Sequence, residues 1–131
     1  MEYVESYKEL TVYKTARQLS REIFVLTKSF PKEEMYSLTD QVRRSSRSVG
    51  AQVAEAWAKR RYEKHFISKL TDADGEQQET QHWIEISLDC NYITKEVADN
   101  FLNQCSSVGK MINAMINKSA SFCKPKPNGD R

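Results

Sequence analysis

The chain has 131 residues, of which 39% are hydrophobic and 29% charged, with a formal net charge of only +2. Its four glycines and three prolines are too few for a turn-rich all-β fold. A chain of this length can fold as one domain without disulfides or metals, and the small net charge does not by itself indicate a nucleic-acid partner.

The cysteines and the N-terminal residues indicate the cellular location of the protein. Cys90, Cys105 and Cys123 form no CxxC pair, which predicts reduced thiols. The first residues lack the apolar region of a signal peptide, and no apolar run approaches the roughly 18 residues that span a bilayer. We therefore expect a cytoplasmic protein without membrane contact.

The first predicted helix runs from about Glu9 to Phe30, and Pro31 is expected to end it near Ser29 or Phe30. Apolar residues recur in steps of three and four: Val12, Ala16, Leu19, Ile23, Leu26 and Phe30. A basic stripe falls on the opposite side: Lys14, Arg17, Arg21 and Lys28.

The second predicted helix begins after an N-cap at Ser37, with Asp40 in its first turn, and ends near Lys59. Its inner face consists of Leu38, Val42, Ser45, Val49, Val53 and Ala56. Gly50 and the neighbouring small residues would allow another helix to approach closely. Arg43, Arg44 and Arg47 lie on the far side from this inner face.

Two further helices are predicted, from about Tyr62 to Asn91 and from an N-cap at Thr94 to about Ser119. The stripe of the third is Tyr62, Phe66, Leu70, Ala73, Gln77, Thr80, Ile84 and Leu88. The stripe of the fourth is Val97, Phe101, Cys105, Val108, Ile112 and Met115. Buried Gln77 and Thr80 would need hydrogen bonds or a subunit contact.

Four amphipathic helices with short connections predict an all-α fold, an antiparallel up-down-up-down four-helix bundle over residues 1–120. Residues 121–131, which include KPKPNGDR, are predicted to be a disordered basic tail.

Charge is distributed unevenly along this bundle. Residues 37–62 carry six Lys and Arg against two acids, whereas residues 71–89 carry six acids and neither Lys nor Arg. These segments of opposite sign can attract each other within a subunit or between subunits.

The order of motifs resembles a known family. The three segments are YKELTVYKTARQLSREIFVLTKSFP, YSLTDQVRRSSRSVGAQVAEAW and FISKLTDADGEQQETQHWIEISLDCNYI. They are similar to proteins encoded in intervening sequences of bacterial 23S rRNA genes, a family that also resembles the accessory variability proteins of diversity-generating retroelements. The resemblance covers about residues 7–117.

The match is clearest in a central motif of a glutamine, a basic pair, a serine and Asn-Ile-Ala-Glu-Gly. Here these positions are Gln41, Arg43, Arg44, Ser48 and the run Gln52-Val53-Ala54-Glu55-Ala56. Gln52 and Ala56 depart from the usual asparagine and glycine. A later pattern matches Glu79, Trp83, Ile84 and Asn91-Tyr92-Ile93.

The resemblance implies a four-helix bundle without enzymatic activity, commonly assembled as a ring of five subunits. The retroelement relatives bind nucleic acid and a reverse transcriptase through basic surfaces. A homopentamer, an RNA or DNA ligand and a reverse-transcriptase-like partner are therefore expectations for this chain.

The basic residues of the first two helices are the candidate nucleic-acid site: Arg43, Arg44 and Arg47, supported by Lys14, Arg17 and Arg21. Lysine and arginine contact phosphates without regard to sequence. Two alternatives stay open, a solvated face and pairing with acids of a neighbouring subunit, as in a scaffold without a nucleic-acid role. Lys59, Arg60 and Arg61 form a separate basic group at a helix junction.

Other chemistry has little support. Glu79 and His82 match the Glu-x-x-His step of di-iron bundles, but the second such step is missing. We expect no catalytic residues, no cofactor and no metal. The candidate oligomer contacts are Trp57, Tyr62, Asp72, Asp74 and Glu76.

Overall fold

The computed structural model describes residues 4–123, which form a four-helix bundle. The long helices are α1 (Thr11–Thr27), α2 (Leu38–Ala58), α3 (Glu63–Asp89) and α4 (Lys95–Asn117), and a short α5 (Ser119–Phe122) follows. Tyr7–Glu9 and Lys32–Glu34 are single 3₁₀ turns. No helix in residues 4–123 is long and apolar enough to cross a membrane.

Neighbouring helices pack antiparallel, as their side-chain pairs indicate. Between α2 and α3 the hydrogen-bonded or ion-paired partners are Ser45 with Thr80, Ser48 with Glu76, and Glu55 with Lys69. Residue numbers rise on α2 as they fall on α3. The α1–α2 contacts follow the same rule, since Thr27 meets Arg43 and Tyr13 lies beside Gly50.

The predicted inner faces form the core, which consists of two apolar clusters. Leu26, Leu88 and Val97 are only partly buried at its margin, and Tyr62 is 56% exposed instead of buried.

The two polar positions predicted on the inner face of α3 are buried and hydrogen-bonded within the chain. The Thr80 hydroxyl bonds to Ser45 Oγ at 2.9 Å and to the carbonyl of Glu76. Gln77 donates to Asp74 and accepts from Gln81. The expectation of hydrogen bonds at these positions is thus confirmed, and no subunit contact is required for them.

The helix ends differ from the predicted ones for local reasons. α1 ends at Thr27, and residues 28–30 continue as a tight turn in which each N–H bonds three residues back. The Ser37 side chain makes no capping hydrogen bond to α2, whose first N–H, that of Leu38, donates to the Glu34 carboxylate. Thr94 caps α4 as predicted, accepting from the Val97 N–H.

The bundle continues past the predicted boundary at residue 120. Phe122 stacks on Phe66, and Cys123 is buried against the same cluster. Residues 121–123 therefore belong to the packed domain, and the rest of the predicted tail, residues 124–131, lies outside the described residues.

Candidate nucleic-acid interface

Arg43 is half-buried on the α1 side of α2, where it contacts the neighbouring helix of its own subunit. Its Nε donates to Thr27 Oγ1 at 2.7 Å. Its guanidinium carbon lies 4.7 Å from the centre of the Phe24 ring. Arg43 is therefore held in one orientation by a hydrogen bond and a cation–π contact.

Phe24 is the centre of a cationic cluster that the sequence did not reveal. The Lys28 ammonium lies 4.9 Å and the Arg47 guanidinium carbon 5.5 Å from the same ring centre. Phe24 is 36% exposed, so these three cations sit at the surface. The sequence did contain one signal for this cluster. Phe24 is an aromatic residue outside the apolar stripe of α1, and it lies at helical spacing from Arg21 and Lys28 of the basic stripe.

Arg44 faces the opposite neighbour, α3. Its guanidinium pairs with Glu79 at 2.5 Å and approaches Glu76 at 3.8 Å. One residue turns a helix by about 100°, so Arg43 and Arg44 meet different helices. Arg44 therefore has different structural neighbours from Arg43 and Arg47, although the three were predicted as one site.

The remaining candidates lie along the outer side of α1. Lys14, Arg17 and Arg21 are exposed, and Arg21 donates a hydrogen bond to the neutral Gln18. From Lys14 to Lys28 the stripe extends about 21 Å at 1.5 Å per residue. We define the basic face as Lys14, Arg17, Arg21, Lys28, Arg43 and Arg47. Within residues 4–123, none of these six is ion-paired with a carboxylate.

Two of the predicted oligomer contacts are engaged inside the subunit. Glu76 is only 19% exposed and binds Arg44 and Ser48. Trp57 packs against the core, and its ring is covered by the Arg60 guanidinium at 3.6 Å. Glu76 stays a candidate oligomer contact, although Arg44 and Ser48 already bind one of its carboxylate oxygens inside the subunit.

The other predicted oligomer contacts remain accessible. Asp72 and Tyr62 are exposed, and Tyr62 lies beside His65. Asp74 is half-buried and accepts hydrogen bonds from Gln77 and Gln78. These three residues stay candidates for a contact between subunits.

The separate basic group at the α2–α3 junction does not extend the basic face. Lys59 and Arg61 are exposed, whereas Arg60 is turned back onto α2, its Nε donating to the Trp57 carbonyl. Because the Arg60 guanidinium is removed from water, its pKa is lowered from the usual value. This group lies at the opposite end of α2 from Arg43.

The described residues contain no group of three His, Cys, Asp or Glu side chains placed to hold a metal ion. Glu79 accepts from the Trp83 indole and pairs with Arg44, and His82 lies beside Trp83. Burial raises the pKa of the Cys105 thiol to about 12, which makes it a poor nucleophile near neutral pH.

Comparison with known proteins agrees with this architecture. Residues 8–114 match the family described as 23S rRNA-intervening sequence protein. The fold is similar to the crystal structure of a protein of unknown function from the S23 ribosomal protein family of Bacteroides thetaiotaomicron VPI-5482. That comparison has a TM-score of 0.73 and 27% identity, covering 81% of this chain and 98% of the other.

No curated protein matches the chain with significant similarity. The match over residues 8–114 includes all four long helices up to the last turn of α4. The chain therefore belongs to the family of 23S rRNA-intervening sequence proteins.

Proposed function

We propose that this chain is a non-enzymatic, homo-oligomeric bundle protein that binds RNA or DNA, or a ribonucleoprotein partner, through the basic face. One observation carries the proposal: six cations lie on α1 and α2 without a carboxylate partner in residues 4–123. We place the protein in the cytoplasm, where thiols such as those of Cys90 and Cys105 stay reduced.

Phosphate chemistry fits this surface better than a neutral ligand does. Lysine and arginine gain affinity from phosphates mainly by releasing condensed counterions, so binding falls steeply with salt. Four simultaneous contacts predict a slope of about −3.6 for the logarithm of the binding constant against that of the salt concentration.

Homo-oligomerisation is part of the proposal, and the family resemblance suggests a ring of five. In a closed ring each basic face recurs by symmetry. Several weak phosphate contacts on one nucleic acid then act together, because each further contact is intramolecular. A reverse-transcriptase-like protein is one partner suggested by the same resemblance.

The test is binding of structured RNA and duplex DNA over a range of salt concentrations. The triple variant Arg17→Gln/Arg21→Gln/Arg47→Gln should lose most of the binding and of the salt slope. The control Lys64→Gln/Lys95→Gln/Lys110→Gln removes the same charge from exposed positions of α3 and α4 and should retain binding. If both variants weaken binding equally, net charge rather than the basic face is responsible.

A protein-interaction scaffold is the second candidate, and the acidic side of α3 favours it. Asp72, Glu85 and Asp89 are exposed and have no ion pair within the described chain. In this reading they pair with the basic face of the next subunit. Light scattering distinguishes the two functions: the triple variant should keep its assembly mass under the first and dissociate under the second.

A further inference from the structure

A groove of about 370 Å³ lies where α1, the 3₁₀ turn at Lys32–Glu34 and the first turns of α2 meet. Its lining residues are Phe24, Thr27, Lys28, Phe30, Pro31, Lys32, Met35, Thr39 and Arg43. Its volume falls near the lower end of the about 300–1,000 Å³ typical of small-molecule sites. The groove is thus large enough for one small ring system and its substituents.

The groove combines apolar walls with three cations. Lys28, Lys32 and Arg43 line it, and none of them pairs with a carboxylate in the described chain. The acids closest in sequence form no ion pair with these three cations in residues 4–123. Glu34 is engaged with the Leu38 N–H and the Tyr92 hydroxyl, while Glu33 and Asp40 are exposed without an ion pair in residues 4–123.

Thr39 adds an unpartnered polar group at the same place. Its side chain lines the groove, is 4% exposed, and its hydroxyl has no hydrogen-bond partner among the described residues. The hydroxyl oxygen itself is buried, so a ligand in the groove can bond to it only after the Thr39 side chain changes rotamer.

We propose that this groove receives one unpaired nucleotide of the bound nucleic acid. Its phosphate lies against Lys28, Lys32 and Arg43, and its base packs on Pro31 and Met35. The inference rests on the proposed function, because Lys28 and Arg43 belong to both the groove and the basic face. Unpaired bases are recognised by stacking on aromatic or guanidinium surfaces beside a cationic track, and flipped bases also pack between apolar side chains. This groove offers apolar walls beside three cations.

The experiment compares a blunt RNA duplex with a duplex of equal phosphate count that carries one bulged nucleotide. The native protein should prefer the bulged duplex by about fivefold or more, the lower range for one stacked base. A 2-aminopurine at the bulge should change its fluorescence on binding. The groove variant Lys32→Gln/Met35→Ser should lose both the preference and the fluorescence change but keep most of its affinity for the blunt duplex.

The matched control is Lys64→Gln/Tyr36→Ser, which removes one exposed lysine and one exposed apolar residue outside the groove. It should behave like the native protein. Two outcomes overturn the inference and leave the proposed function standing. In one, the native protein binds both duplexes with equal affinity. In the other, the groove variant loses affinity for both duplexes by the same factor. If neither RNA binds at low salt but duplex DNA does, the inference is overturned and the proposed function stands. If duplex DNA does not bind either, both are overturned.

The competing hypothesis is that the groove binds an acidic protein segment. An acidic peptide containing phenylalanine tests it. The inference predicts that it binds the native and groove variants alike. If the peptide binds more weakly to the groove variant while neither RNA distinguishes the two proteins, the groove serves an acidic protein segment, and the nucleotide assignment is wrong.

Discussion

The two sides of α2 present the same kind of side chain to opposite environments. On the α3 side, Arg44, Ser45 and Ser48 each bond to α3 within the chain. On the α1 side, Arg43, Arg47 and Lys28 surround Phe24, and none of the three is ion-paired with a carboxylate within residues 4–123. A cation's sequence position therefore says little about its availability until the neighbouring helix is known.

The polar side chains of α3 are satisfied inside the subunit. The largest expected effect on stability comes from disturbing their contact with α4. A Cβ on Gly109 of α4 would lie 2.6 Å from Gln77 Nε2 and 3.3 Å from Asp74 Oδ1. Gly109→Ala forces the Gln77 amide, the end of a flexible side chain, to move away from its present position beside Asp74. We expect the free energy of unfolding to fall by up to about 2 kcal/mol in urea denaturation, less what Gln77 recovers by finding new partners.

Gly75→Ala is the control, because a Cβ there meets nothing within 4 Å. Replacing a helical glycine by alanine at an open site should stabilise by up to about 1 kcal/mol. Both variants are compared at one protein concentration, since assembly affects apparent stability. Equal stability of Gly109→Ala and the native protein would show that the polar contacts of α3 and α4 are adaptable.

The buried hydroxyl pair between α2 and α3 gives the next effect. Thr80→Val leaves the Ser45 hydroxyl without its 2.9 Å partner in a site that is fully buried. We expect a loss of about 1–2 kcal/mol in the free energy of unfolding. The double variant Ser45→Ala/Thr80→Val removes both polar groups and should be about 1 kcal/mol more stable than the two single losses predict. Strict additivity would mean that the pair contributes nothing specific.

Arg44 and Arg47 test the comparison directly, because their variants should affect different measurements. Arg47→Gln should weaken nucleic-acid binding about fivefold at 0.15 M salt, the effect of one lost phosphate contact, and leave stability unchanged. Arg44→Gln should lower the free energy of unfolding by about 0.5–1 kcal/mol and change binding less than twofold. The contrast fails if both variants reduce binding by the same factor.

The sequence predicted the fold more completely than the site. The inner faces of α1, α2 and α4 followed from steps of three and four, because burial selects apolar residues at that period. α3 was harder to read, since Gln77, Thr80 and Ser87 are buried in it. α5 was missed because Phe122 follows small and polar residues and precedes a proline-containing tail.

The division of the arginines could not be read from one helix. Periodicity places Arg43, Arg44 and Arg47 away from the inner face of α2, but it does not say which neighbouring helix each one meets. Two observations separate them, the stacking on Phe24 and the pairing with Glu79. Both depend on the packing of α1 and α3 against α2, which residue spacing along a single chain does not specify.

The smallest predicted effect separates two buried threonines on the basic side of α2. Thr27 bonds to the Ile23 carbonyl and accepts from Arg43 Nε, whereas the Thr39 hydroxyl has no partner in the described chain. Thr27→Val should lower the free energy of unfolding by about 1 kcal/mol, and Thr39→Val should raise it by about 0.5 kcal/mol, because only Thr39 loses an unsatisfied group. Urea denaturation measures both. If Thr39→Val destabilises as Thr27→Val does, the Thr39 hydroxyl has a partner in solution already, and the groove offers a ligand only its cations and its apolar walls.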